Sequence, residues 1–462
     1  MKRQMKTLIH KFHLNGTYIL LDVNSGVVNV IDEMTYRVLD TYKGSNRKET
    51  LVLLSSQYDK DSLIECLDEL DELIRQELLF APMSEKFELV AAEKPIVKAL
   101  CLNIAHDCNL RCRYCFASSG AYGGSKRELM SFDVAKRAID FLIANSGTRQ
   151  HCEVDFFGGE PLLNFDVVKD IIAYIREQEE IHNKIFKLTL TTNGMLLDKE
   201  EVAYLNDNHI SMVLSLDGRK EVHDSMRPNV AGQGSYETVL KNLQYAVQHR
   251  NGEEYYVRGT YTAKNLDFTN DVVSMADAGF DELSMEPVIG EDGDYIITEE
   301  HLPRIKEEYE TLTKEFLKRK FSGRGFNFFH FNVDLYRGPC MAKRLRGCGA
   351  GHEYMAITPN GDIYPCHQFV GDESYIIGTV YDGLTNFDIP KTFRETNVLT
   401  KDQCIDCWAK FFCSGGCHAN NIKLGGSINE PYKLSCELQK KRIECALLIQ
   451  AELALAKKNF TE

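Results

Sequence analysis

Long apolar runs are missing from this 462-residue chain. None approaches the ~18 residues that a membrane-spanning helix requires, so no membrane association is expected. The opening Met1-Lys-Arg-Gln-Met-Lys-Thr-Leu-Ile-His10 is basic but has no sustained apolar stretch. No signal peptide is expected from it. Positive charge is also in short supply. Lys and Arg total 54 against 68 Asp and Glu, a formal net charge of -14. That balance argues against a non-specific nucleic-acid binder. A cytoplasmic protein is the expectation. There, 15 cysteines read better as metal or cluster ligands than as disulfides.

The most informative stretch is Cys108-Asn-Leu-Arg-Cys112-Arg-Tyr-Cys115. Three thiols at CxxxCxxC spacing follow an apolar strand-like run, Ala99 to Ala105. Iron–sulfur clusters are usually held by four Cys thiolates. Three close thiolates therefore point to a cubane with one iron left open for a small molecule. A zinc knuckle or incidental thiols is the competing reading of the spacing alone.

A chain of this length should form two or three domains. Residues 1–90 read as a small unit. Thr17–Asp22 and Val27–Ile31 are strand-like and joined by Asn24-Ser-Gly26, a hairpin turn. Asp61 can cap a helix in which Ile64, Leu67, Leu70, Ile74 and Leu78 recur at helical spacing. Hairpin plus helices predicts a winged-helix-like module or a simple structural cap. The charged stretch Glu85–Pro95 reads as a linker.

Over 96–320, six strand–helix units alternate, which predicts an α/β fold with a parallel sheet. The strands are expected at Ala99–Ala105, Cys152–Phe157, Lys187–Thr192, Ser211–Leu216, Tyr255–Thr262 and Asp281–Glu286. Ligands of such sheets bind at the carboxyl ends of the strands. The distinctive residues stand there: the three Cys, then Gly158-Gly-Glu-Pro161, Thr192-Asn-Gly194 and Asp217-Gly218. Over 321–440, helical periodicity weakens and cysteines become dense, so metal centres should supply stability that a thin core does not. Lys433 to Lys458 reads as a closing helix, with 441–462 as the C-terminal segment.

The Cys loop, the strand–helix alternation and the strand-end motifs together resemble the radical S-adenosylmethionine (SAM) enzymes. The resemblance implies a partial (β/α)6 barrel and a cluster held by Cys108, Cys112 and Cys115. It also implies that SAM binds the open iron and yields a 5′-deoxyadenosyl radical. Tyr114 would flank the adenine. Gly158, Gly159 and Glu160 would receive the SAM amino group, since two glycines let backbone approach closely and a carboxylate suits an ammonium. Asn193 and Ser215 match positions that touch ribose and carboxylate, and Arg227 could pair with the SAM carboxylate. Its bland alternative is a surface ion pair, and Asp217 could equally be a turn former.

A second constellation is Cys348, Gly361-Asp-Ile-Tyr-Pro-Cys366, Cys404-Ile-Asp-Cys407, Cys413, Cys417 and Cys436. Its order resembles the SPASM extension of radical SAM enzymes that modify peptides. With Cys340 it has eight thiols, enough for two auxiliary clusters and three [4Fe-4S] clusters in all. By resemblance Cys404, Cys407, Cys413 and Cys436 hold the outer one, and Cys340, Cys348, Cys366 and Cys417 the inner. Paired zinc sites are the alternative. Cys66, Cys101, Cys152 and Cys445 fall in apolar patterns and read as inert core.

The whole chain is most similar to the maturases of short six-cysteine peptides (SCIFF), which form thioethers from a Cys sulfur to a backbone carbon. This implies a Cys-rich precursor peptide whose leader pairs with the N-terminal module. It also implies a flavodoxin- or ferredoxin-type reductant and no nucleic-acid partner; a monomer is the default. The inner cluster could lack one protein ligand and bind the substrate thiolate directly, since the basic segment between Cys340 and Cys348 would let one of the eight ligands be displaced. Other SPASM chemistry, formylglycine formation or carbon–carbon cross-linking, is the alternative. No residue stands out as a catalytic acid or base.

Overall fold

The computed structural model describes residues 8–83, 96–122, 127–333, 335 and 341–459. Cys340 and the linker expected over Glu85–Pro95 lie outside the described residues.

Three antiparallel strands begin the fold: β1 (Ile9–Leu14), β2 (Thr17–Asp22) and β3 (Val28–Ile31), in spatial order 1-2-3. Helices Glu33–Thr41, Arg47–Leu54 and Lys60–Arg75 follow. Asp59 caps the last of these by accepting from the Asp61 and Ser62 amides, two positions before the cap that the sequence pattern favours. β1 was not expected, because His10, Lys11 and His13 interrupt its apolar pattern. Those polar groups are absorbed by neighbours. His10 stacks on Trp408 at 3.7 Å and bonds Glu444 at 2.9 Å, while the Lys11 ammonium lies over the Tyr36 ring.

Among the described residues the main sheet has eleven strands. The six expected ones are present as β4 (Ala99–Ala105), β5 (His151–Gly158), β6 (Ile185–Thr192), β7 (Ser211–Ser215), β8 (Tyr255–Tyr261) and β9 (Glu282–Pro287), each parallel to the next. Every residue of β4 is buried, as helices on one face and the filled interior on the other require. Intervening helices start at good caps. Ser131 accepts from Val134 N, and Asp198 forms a capping box with Glu201.

The sheet does not stop at six strands. β10 (Asn327–Phe328) extends it beyond β9. On the other edge β11 (Tyr354–Ile357) pairs parallel with β4, followed by antiparallel β12 (Asp362–Tyr364), β13 (Gly378–Thr379) and β14 (Gly383–Leu384). The Cys-rich segment is thus hydrogen-bonded to the strand that delivers the first Cys loop. β11 is four residues long, too short for periodicity to reveal.

A 27-residue helix, Lys433–Asn459, closes the chain. It carries Cys436 and continues past 440, so the expected boundary there falls inside one element. It packs on β1, β2 and β3 and on helix Leu302–Phe321. Phe12, Leu14, Ile19, Leu21 and Val23 consequently belong to the same core as the main sheet. No helix among the described residues is long and apolar enough to cross a membrane.

Candidate cluster and SAM site

The Cys108–Cys115 loop leaves the carboxyl end of β4 and is pinned on two sides. On one, Gly159 N donates to Ala105 O (2.8 Å) and Glu160 N to Asp107 O (2.9 Å). A Cβ on Gly159 would stand 2.1 Å from Asp107 O, so the two backbones touch only because position 159 lacks a side chain. On the other side, Arg111 N donates to Pro228 O and Arg113 N to Met226 O, binding the loop to the segment that bears Arg227.

Backbone amides aim at the sulfurs: Leu110 N at Cys108 Sγ (3.4 Å) and Ser119 N at Cys115 Sγ (3.3 Å). Asn193 Nδ2 reaches Cys108 Sγ at 3.6 Å. Such donors suit thiolates.

One cavity of about 820 Å3 opens over this loop. Cys108, Cys112, Tyr114, Cys115, Gly158, Gly159, Asn193, Ser215 and Arg227 line it from one side; Cys348, Cys366, Cys413, Cys417 and Cys436 line it from the other. Glu160 differs from expectation. It is fully buried and outside the lining. Its carboxylate accepts from Leu162 N (3.1 Å), Thr192 Oγ1 (2.8 Å) and Asn193 N (2.8 Å), tying the end of β5 to the end of β6. Burial pushes its carboxyl up to about 7, against the pull of those donors.

Arg227 is inside the protein rather than on a surface. Its Nη1 donates to the Tyr114 hydroxyl (3.0 Å) and approaches Asp217 (3.8 Å), while its buried Nε has no partner among the described residues. Asp217 is no mere turn former. It accepts from the Tyr114 hydroxyl (2.5 Å) and from Thr260 N (3.0 Å).

The fourteen described cysteines are free thiols, and Cys66, Cys101, Cys152 and Cys445 are buried. Among the described residues, no group of three or more His, Cys, Asp or Glu is placed around a single metal ion. The Cys-rich thiols fall into two neighbourhoods. Burial, then the charges of Cys413, Cys407 and Cys436, raise the Cys404 thiol to about 12 despite nearby Lys401. Burial, then Cys417 and Cys348, raise the Cys366 thiol to about 12.

Two observations show that an anionic, acceptor-rich group fits here. Lys401 is fully buried, and among the described residues its ammonium bonds only the Gly415 carbonyl (2.7 Å). Both ring nitrogens of His418 are buried without a partner among the described residues. Unpaired buried charge and donors are costly, and cluster sulfur would relieve both. Sequence reasoning passed over these two residues. Their adjacency to Cys404 and Cys417 was the available signal. It also passed over Glu286 and Arg442, which line the cavity, and His330 behind them; the three come from distant segments (Glu286 to Arg442 and to His330, both 3.2 Å).

Comparison with known proteins agrees with this arrangement. Residues 102–260 match the radical SAM superfamily, and 348–408 match SPASM, an iron–sulfur cluster-binding domain. A cysteine-type anaerobic sulfatase-maturating enzyme of Clostridium novyi is 25% identical over 68% of this chain and 86% of its own length. The radical SAM cyclopropyl synthase TigE of Paramaledivibacter caminithermalis is 21% identical over 74% and 72%. Among solved structures, anSMEcpe with bound AdoMet and the Cp18Cys peptide superposes with a TM-score of 0.63 at 20% identity, over 78% of this chain and 99% of that one. Streptococcus suis SuiB bound to its precursor peptide SuiA gives 0.50 at 17% identity, over 93% and 99%. The cofactors are therefore SAM and a [4Fe-4S] cluster, with auxiliary clusters beside them. The chain is an enzyme of the radical SAM superfamily that carries a SPASM domain.

Proposed function

We propose that this enzyme is a peptide maturase that forms intramolecular thioethers, Cys sulfur to backbone carbon, in a small Cys-rich ribosomal precursor. The observation that carries the reading is the meeting of the Cys108–Cys115 loop and the SPASM cysteines on one cavity large enough for SAM and a peptide segment. Relatives whose structures hold a precursor or substrate peptide share the fold.

Cys108, Cys112 and Cys115 hold the SAM cluster. Cys404, Cys407, Cys413 and Cys436 hold an outer auxiliary cluster, and Cys348, Cys366 and Cys417, with Cys340, an inner one. When bound, cluster and SAM together supply a 5′-deoxyadenosyl radical that abstracts a hydrogen atom. The chain's own groups bind and orient. Arg227 Nε would face the SAM carboxylate, Tyr114 would flank the adenine, and Asn193 and Ser215 would touch ribose and carboxylate. The backbone of Gly158 and Gly159 would meet the ammonium, while Glu160 braces the turn from behind. The barrel interior and the SPASM segment exclude water from the radical.

The winged-helix-like N-terminal unit selects the substrate. β3 is an edge strand with Val30 44% exposed, so a leader strand can pair with it. A flavodoxin- or ferredoxin-type protein supplies electrons, and the enzyme acts as a monomer in the cytoplasm.

The test is anaerobic incubation of the cluster-loaded enzyme with SAM, a reductant and the Cys-rich peptide encoded beside its gene. The expected product has lost one pair of hydrogens per cross-link and has thiols that no longer alkylate. Unchanged peptide mass with continued 5′-deoxyadenosine release overturns the substrate assignment. The sulfatase-maturating relatives favour a second reading, formylglycine formation. An aldehyde that reacts with hydrazide would establish it. Carbon–carbon cross-linking would instead lose the hydrogen pair yet leave the thiols alkylatable.

A further inference from the structure

Lys401 precedes the short helix Asp402–Ile405 and has no exposed surface. Its ammonium donates to the Gly415 carbonyl at 2.7 Å. No carboxylate forms an ion pair with it among the described residues. The ionisable groups that it acts with are the His418 imidazole and thiols: Cys404, Cys413 and Cys436 from one neighbourhood, Cys348 from the other. The turn between Cys413 and Cys417 wraps this ammonium. Gly415 has φ +88°, and a Cβ there would lie 3.3 Å from Lys401 Nζ. A buried ammonium in this setting is tolerable only beside negative charge. The groups placed to supply it are the two thiol sets.

We propose that Lys401 is the shared counter-cation of the two auxiliary clusters and raises both of their reduction potentials. The inference rests on the reading that these thiols hold two clusters. A cubane held by thiolates is an anion whose negative charge grows by one on reduction. A fixed positive charge nearby therefore favours the reduced state, and net charge and hydrogen bonds are established controls of cluster potential. Because the Gly415 carbonyl that holds this ammonium lies between Cys413 of one set and Cys417 of the other, its removal should lower both potentials, not one.

Lys401→Met keeps the length of the stem and removes the charge; Lys401→Arg keeps the charge. Both full-length variants would be loaded anaerobically, assayed for iron and sulfide, and titrated redox-potentiometrically by electron paramagnetic resonance. The expected result is a downward shift of both auxiliary potentials in Lys401→Met, with the SAM-site cluster unmoved and Lys401→Arg near wild type. Auxiliary iron lost from Lys401→Met but retained by Lys401→Arg would also establish the charge requirement. Wild-type potentials in Lys401→Met, a shift confined to one cluster, or loss of iron from both variants would overturn the proposal. A wild-type protein with iron for only one auxiliary cluster would remove the reading beneath it, and that failure is visible before any variant is made.

Discussion

Around Asp217 a small set of buried groups controls one another. The Tyr114 hydroxyl donates to its carboxylate, Arg227 faces it, and the Asp217 amide donates to His223 Nδ1 at 3.3 Å. With that nitrogen accepting, His223 Nε2 carries the proton and donates to Ser235 Oγ at 2.9 Å. Burial first, and then the Arg227 charge, depress the imidazole to about 2. A folded-state value below the unfolded one means stability is present above ~6.5 and is lost as pH falls through the window towards 2, at up to about 1.4 kcal/mol per pH unit. Denaturant midpoints measured between pH 7 and 5 should fall more steeply for the wild type than for His223→Gln; equal slopes would refute the coupling. Arg227 is the neighbour with an unspent donor. Arg227→Lys keeps charge but loses the planar fork, and should weaken SAM binding by roughly ten- to a hundredfold, about 1.4–2.7 kcal/mol, in calorimetry on the cluster-loaded enzyme.

At the scale of elements, turns matter more than strands. The Cys loop and the Gly158-Gly159 turn are held at backbone contact, so Gly159→Ala must displace one of them from Asp107. The expected outcome is loss of SAM-site iron with auxiliary iron retained, read by iron content and by the spectral response to SAM. Unaltered loading would show that the loop can retreat without cost. The six core strands and their helices were legible in the sequence because two-sided burial writes near-continuous apolar runs and caps mark the helix starts. β1 and β11 were not. His10 and Lys11 are made apolar-compatible by Trp408, Glu444 and Tyr36, partners from distant sequence. The role of Glu160 was half legible. A carboxylate beside two glycines reads as a ligand to an ammonium, yet three donors already claim it from behind the wall.

Across the whole molecule, the closing helix joins the parts. It carries Cys436, places Arg442 against Glu286 and Tyr309, and buries the N-terminal sheet, where Thr17 Oγ1 meets Glu452 at 2.5 Å. Deleting the N-terminal unit would strip Phe12, Leu14, Ile19, Leu21 and Val23 from the common core. A point change at the free edge is the cleaner probe of leader binding. Val30→Lys places a charge on the edge strand, which discourages strand addition. It should raise KM for the full-length precursor by about tenfold, ~1.4 kcal/mol. SAM cleavage without peptide should be unchanged. An unaltered KM would place the leader elsewhere.

The sequence by itself marked out the thiols proposed as ligands, because ligand spacing within a loop is a local property: CxxxCxxC and C-x2-C-x5-C-x3-C need no tertiary context to be read. It likewise determined the order of strands and helices, since burial periodicity is written along the chain. Tertiary structure alone decided how far the sheet extends and that β11 ties the Cys-rich segment to β4. It also decided that Lys401 is buried against the Gly415 carbonyl and that Glu286, His330 and Arg442 meet. Those facts depend on side chains brought together across tens to hundreds of residues, and pairing at that separation follows from packing and shared burial, which leave no spacing in the sequence.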